Sequence, residues 1–303
     1  MGGKPQVMYE SYYQLSGRPF NHSPNTECFF AGDYVRESLS QLVRIVTRGE
    51  GVSLVTGPTG TGKSSVCQLL VEHFQFSHQV IYFQHGLFSS RHAFLESVVL
   101  ALGISNARNS EAKNRAAIRE HLFNLDEYPR SLLLIIDDAH QMSVDVLEEC
   151  RQLISLVYGG TTRVHLVLAG LLKLEDSLAQ PTFASLNQRV VHRCYLSALS
   201  SIETRSMIGD CLLKAGGEPA ELFTRDALRK IYEYTEGVPR IAVQLADRAM
   251  LLGMQREQPI LDSFDIELAW ADLQQLPEPK TQKELAQTAA PASSAIEFGL
   301  LSD

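Results

Sequence analysis

The segment "LVTGPTGTGKSSV", residues 54–66, decides how the rest of the chain is read. It leaves an apolar, β-branched run (51–56), passes through closely spaced glycines, and enters a stretch whose spacing predicts a helix over 63–75. Between the two, Gly57 to Ser64 fits the pattern G-x-x-x-x-G-K-[ST], with a strand before it and a helix after it, which is the context the pattern requires. Glycines let consecutive backbone N–H groups turn toward one anion, and the amino-terminal end of the next helix adds positive partial charge at the same place. Phosphate is the expected occupant. Gly57, Pro58, Thr59, Gly60, Thr61, Gly62, Lys63, Ser64 and Ser65 form the expected cradle, with Lys63 set against the terminal phosphates and the Ser64 hydroxyl against magnesium. A glycine turn before an ordinary helix is the plainer reading of the same residues.

Four more runs of this kind follow, "QVIYFQ" (79–84), "SLLLIID" (131–137), "VHLVLAG" (164–170) and "VVHRCYL" (190–196), separated by helical stretches at 91–102, 111–125 and 145–157. They lack clean in-and-out alternation, as strands covered on both faces do. The order predicts an α/β core over 51–198, a parallel five-stranded sheet with helices on both faces. Beyond about residue 200 the strand signals stop, and 201–215, 224–235 and 239–252 read as amphipathic helices of a small all-helical lid domain, 199–273. Ser143 and Thr224 are placed to cap helix starts. Residues 1–50 read as an amino-terminal segment with a helix leading into the core. Residues 274–303, rich in Pro, Ala, Gln and Ser, read as a disordered tail, whose apolar end "AIEFGLLSD" is either a docking segment or simply its terminus.

The run "LLLIIDDAH" (132–140) ends in two acids at the carboxyl edge of the sheet, where ligands of such folds collect. Asp137 suits the magnesium shell, and Asp138 is placed to orient or deprotonate an attacking water, a solvated strand-end acid being the alternative. His140 reads as a relay or as a loop residue. Arg189 and Arg193, at strand period, point to one side, either as a charge presented to a neighbouring subunit or as surface ion-pair partners. Arg240 follows Pro239 at a helix start, from which it can reach toward bound phosphate.

A formal net charge of −8 disfavours a nucleic-acid partner unless bases gather locally, Arg225, Arg229, Lys230 and Arg248 being the candidates. The five cysteines form no CxxC pair and are odd in number, which predicts reduced thiols rather than a disulfide or zinc framework. The start "MGGKPQVMYE" lacks a leader pattern and no run is long enough to span a bilayer, so the expected location is cytoplasmic and unanchored.

Taken together the chain resembles an AAA+ ATPase, specifically the ExeA/GspA-type family of secretion-associated ATPases, with relatives among exosortase-locus and transposition-regulator ATPases. The resemblance covers roughly residues 9 to 270 and is carried by "YYQLSGRPFNHSPNTECFF" with its Pro19-Phe20 pair, "GPTGTGKS", "LLLIIDDAH", "LVLAG", "LNQRVVHRCYLSALS", "AGGEPAELFT" and "TEGVPRIAVQLADRA". It implies ATP and Mg²⁺ held between sheet domain and lid, Arg240 as second sensor, and Arg189 as an arginine finger. It also implies a homo-oligomer, a ring or an ATP-bridged assembly, with an unknown protein client, and hydrolysis that drives a switch in secretion or envelope-related assembly. An ATP-sensing scaffold with little or no turnover and a nucleic-acid-dependent ATPase are the other readings. Three departures bear on them. Asp138 stands where the family carries glutamate, and a misplacement of about 1 Å can cost on the order of 10²-fold in rate. Leu171 stands where the family has a polar residue after the glycine of the fourth strand. A soluble tail is expected where ExeA/GspA proteins continue into a membrane span and a wall-binding region.

Overall fold

The structure, a computed structural model, describes residues 8–21, 26, 29–104, 110–124, 131–158, 161–277 and 279. The terminal "AIEFGLLSD" and Cys28 lie outside the described residues.

The chain enters through a short helix α1 (Tyr9–Tyr12) and a long one, α2 (Asp33–Arg48), before β1 (Val52–Thr56). Then come α3 (Lys63–Phe74), β2 (Gln79–Phe83), α4 (Arg91–Ala101), α5 (Glu111–Phe123), β3 (Leu132–Ile136) and α6 (Val144–Leu153). A two-residue ladder, β4 (Val157–Tyr158) with β5 (Thr161–Thr162), precedes β6 (Val164–Gly170), α7 (Lys173–Leu178), α8 (Ala184–Asn187) and β7 (Val190–Tyr195). The remainder is helical: α9 (Ser201–Lys214), α10 (Pro219–Leu222), α11 (Arg225–Thr235), α12 (Pro239–Gln255) and α13 (Ser263–Leu273).

The five long strands form one parallel sheet in the order β2-β3-β6-β1-β7. In β1, β3 and β6 every residue is buried, so alternation is hidden, yet successive side chains still point to opposite faces. Leu132, Leu134, Ile136, Leu166 and Leu168 meet α4, α5 and α6 on one face. Leu133, Ile135, Val167 and Ala169 meet Leu42 and Val46 of α2 and Val66 and Leu70 of α3 on the other. The expectation of strands covered on both faces fails at the edge strand β7, where Val191, Arg193 and Tyr195 face solvent between buried His192 and Cys194.

The helical lid closes on its own core, built from α9, α11, α12 and α13 around Leu245, Ala249, Met250 and Ile266. Tyr9, Tyr13 and Phe20 belong to that same core, so the start of the described chain packs into the lid before α2 returns to the sheet. The Tyr9 hydroxyl donates to Asp247 Oδ1 at 2.5 Å, and Arg18 pairs with Asp247 Oδ2 at 2.6 Å, fixing this strap to α12. The helix starts follow their signals. The hydroxyls of Ser143 and Thr224 accept the N–H groups of Val146 and Ala227, and Ser200 forms a reciprocal box with Glu203.

Register is what makes a site. Thr56 lies level with Gly170 and Tyr195, and Ile136 with Leu168. The chain therefore leaves β1 at Gly57, β3 at Asp137 and β6 at Leu171 along one edge of the sheet.

Candidate nucleotide site

A cleft of about 380 Å³ opens at that edge, under the lid. Its floor is Thr59 to Ser65, one wall is Asp137, Asp138, His140 and Leu171, and the lid contributes Pro239, Arg240 and Val243.

The loop owes its shape to glycine at two positions that need positive φ, Gly60 (φ 81°) and Gly62 (φ 101°). A Cβ on Gly60 would come within 2.9 Å of Val238 Cγ1, and one on Gly62 within 3.0 Å of the Phe29 ring, so lid and amino-terminal segment both press on the loop. Arg240 adds a backbone tie, its N–H donating to the Gly60 carbonyl at 3.2 Å.

Lys63 is the first residue of α3 and is 8% exposed. Its Nζ donates to the carbonyls of Gly57 (3.0 Å) and Pro58 (2.7 Å), the loop's own backbone. Burial pushes its pKa down, Asp137 and Asp138 oppose that shift, and Arg240 adds to it. A buried cation resting on neutral carbonyls is under-compensated, and an anion in the loop relieves it.

Ser64 Oγ donates to Asp137 Oδ2 at 2.5 Å, and the Tyr82 hydroxyl reaches the same oxygen at 3.5 Å. Asp137 Oδ1 accepts the Asp138 N–H at 2.8 Å, which fixes the carboxylate plane. Among the described residues no group of three or more His, Cys, Asp or Glu is gathered to hold a metal. One hydroxyl and one carboxylate fit Mg²⁺, which takes few protein oxygens and completes its shell with water and phosphate.

Asp138 adopts φ 49°, ψ 33°, and its side chain is 40% exposed. Its Oδ1 lies 3.9 Å from His140 Nδ1, and Gly86, on the loop after β2, packs so closely that a Cβ there would fall 2.6 Å from the Asp138 carbonyl.

Lys63, Ser64, Asp137, Asp138 and Arg240 are thus brought together, and Arg189 is not. The Arg189 carbonyl accepts the Val52 N–H at the opposite end of β1, about 16 Å from the loop at roughly 3.3 Å per strand residue. Arg193 is tied up locally, donating to Asn187 Oδ1 at 2.8 Å and lying 3.6 Å from Glu175 Oε2. Glu175 in turn accepts the Thr56 hydroxyl at 2.5 Å directly beneath the loop.

Sequence reasoning missed Asn21, Phe29, Phe30 and Met207, which also line the cleft. They arrive from a distant segment and from α9, and no local pattern marks them.

Comparison with known proteins bears on the fold that carries this cleft. Residues 46–178 match a family model described as an AAA domain. The chain is 28% identical over 264 residues to the general secretion pathway protein A of Aeromonas hydrophila, an alignment covering 86% of this chain and 48% of that protein. The chain therefore spans about half the length of that curated relative. Among solved structures, Cdc6p from Pyrobaculum aerophilum superposes with a TM-score of 0.66 at 18% identity, covering 89% of this chain and 73% of that one. The Aeropyrum pernix ORC1 protein in complex with DNA gives 0.62 at 16% (81% and 67%). The Thermotoga maritima RuvB Holliday junction branch migration motor gives 0.56 at 19% (81% and 70%). The fold is the AAA+ architecture, a five-stranded parallel P-loop sheet followed by a helical lid.

Proposed function

We propose that the chain binds ATP with Mg²⁺ in the cleft and hydrolyses it, and that the nucleotide state sets the position of the lid and the contacts between copies. The observation that carries this reading is the convergence of buried Lys63, the Ser64–Asp137 pair and the lid residue Arg240 on one loop. Lys63 meets the β- and γ-phosphates, exchanging the two backbone carbonyls for charged oxygens. Ser64 and Asp137 hold Mg²⁺, which supplies charge neutralisation across the phosphate chain. Asp138 orients or deprotonates the attacking water from the exposed wall. Arg240 senses the terminal phosphate from α12, so the lid closes only over a triphosphate.

Arg189 acts in a neighbouring copy, since its own loop is out of reach, and this makes turnover a property of a homo-oligomer. Kinship with the general secretion pathway protein supports a role in secretion or envelope-related assembly, with a protein client. A nucleic-acid client, suggested by the transposition-regulator resemblance, is disfavoured by how three of the lid's four candidate bases are used. Arg229 pairs with Asp226 and Glu233, Lys230 with Glu233 and Glu267, and Arg248 with Asp272. A scaffold that senses ATP with little turnover is the second reading, favoured by the short arm of Asp138. Among the described residues no helix is long and apolar enough to cross a membrane, and the proposal places the reaction in the cytoplasm.

Calorimetry on the folded protein with ATP and Mg²⁺, repeated on Lys63→Ala, tests the reading. Micromolar uptake lost by at least tenfold in the variant supports it, and retained uptake in Lys63→Ala removes the loop assignment. Phosphate release then separates enzyme from scaffold.

A further inference from the structure

The carboxyl end of β6 meets the cleft at Leu171, whose side chain offers no hydrogen bond. Its backbone N–H is also taken, because it donates to His140 Nδ1 at 3.5 Å. We infer that His140 is the polar group facing the terminal phosphate from this side of the cleft, where Leu171 offers none. The inference rests on the nucleotide reading above and deepens it.

Its placement comes from the backbone. The positive φ of Asp138 turns the chain back on itself, fully buried Ala139 is the pivot, and the single turn Ala139–Gln141 lies over the ends of β3 and β6. The imidazole needs the absence of a side chain below it. A Cβ on Gly170 would stand 3.2 Å from the His140 N and 3.3 Å from its Nδ1. Three residues thus build one feature: Asp138 supplies the turn, Gly170 the space and Leu171 the anchoring N–H.

The anchoring also fixes the tautomer. With Nδ1 accepting from Leu171, a neutral ring carries its proton on Nε2. Among the described residues that nitrogen has no protein partner, although the side chain is only 14% exposed and lines the cleft. The result is an oriented donor with its acceptor missing, beside Asp138 and in the cleft that Lys63 also lines. An oxygen of the γ-phosphate, absent from a diphosphate, supplies it. A donor held in advance costs no reorganisation when charge develops, which is why such groups are worth on the order of 10²-fold in rate.

Two amide substitutions separate this role from a purely structural one. The asparagine amide overlays Nδ1 and can still hold the Leu171 N–H, whereas the glutamine amide extends to the position of Nε2. The primary readout is the ratio of affinities for a non-hydrolysable ATP analogue and for ADP, measured by calorimetry with Mg²⁺, with turnover as the second. His140→Ala and His140→Asn are expected to lose about tenfold in triphosphate preference with ADP affinity unchanged, and His140→Gln to keep most of it. The double variant His140→Ala/Leu171→Asn, which places a polar side chain just after β6, is expected to recover part of the loss. Wild-type preference in His140→Asn, or equal preference in wild type and His140→Ala, overturns the inference while leaving the nucleotide site standing. Failure of the wild type to take up either nucleotide overturns both.

Discussion

Asp138 carries a short acid in left-handed backbone, a conformation in which Asp and Asn are enriched over longer side chains. The position therefore trades reach against strain. Asp138→Glu extends the carboxylate by one methylene toward the cleft and is expected to raise kcat severalfold with ATP affinity unchanged, at a stability cost of about 1 kcal/mol for the less tolerant residue. Asp138→Asn keeps the backbone and removes the proposed base, and turnover should fall by on the order of 10²-fold. Steady-state phosphate release and urea midpoints on the three proteins check both statements. A rise in kcat with glutamate favours an enzyme slowed by geometry, and no rise favours a limiting step elsewhere, such as lid opening.

At the level of elements, β6 carries a cost far from the cleft. His165 is 3% exposed, its Nδ1 has no partner, and burial pushes its pKa down from 6.5 to about 4. His78, its ring 5.9 Å away, is shifted the same way by burial, with a backbone contact to Val46 opposing and His73 reinforcing. Because the folded value lies below the unfolded one, the unfolded chain binds the extra proton. Stability is therefore full above about pH 6.5 and is lost as pH falls toward 4, by about 3 kcal/mol for His165 at 1.36 kcal/mol per unit. Urea unfolding between pH 7.5 and 4.5 should show this slope, and His165→Leu should flatten it relative to wild type. The same elements show what periodicity reveals and what it hides. All five strands were legible, because β-branched runs of five to seven residues are bounded by turn chemistry. The β4–β5 ladder was not, since two residues per strand carry no period. Helix α13 was not, because its capping box pairs Asp262 with an aspartate, Asp265, where a glutamate or glutamine is the usual signal. In the site, Lys63, Ser64 and Asp137 were legible because contiguous motifs hold them, whereas the cleft-lining Phe29 and Phe30 become neighbours of the loop only when the sheet and lid assemble.

For the whole molecule, the distance between Arg189 and its own loop gives a test that needs no knowledge of the client. In the proposed assembly, Arg189→Ala keeps a complete cleft and lacks only what it would lend, while Lys63→Ala keeps what it would lend and lacks the cleft. Each alone is expected to turn over ATP at a small fraction of the wild-type rate. An equimolar mixture should recover a substantial share, with specific activity rising with protein concentration. A mixture no faster than the average of its parts would place Arg189 outside the reaction.

The strap of Tyr9 to Phe20 has a mechanical consequence. The polypeptide crosses between the two bodies twice, once between Phe20 and Asp33 and again between Leu196 and Ser200, with Leu199 donating its N–H to the Gly237 carbonyl at 2.9 Å beside the second crossing. Two connections restrict the relative motion of the bodies more than one would, and they favour turning over sliding. If ATP turnover moves the lid as proposed, that path is the one along which the outer helices would be carried.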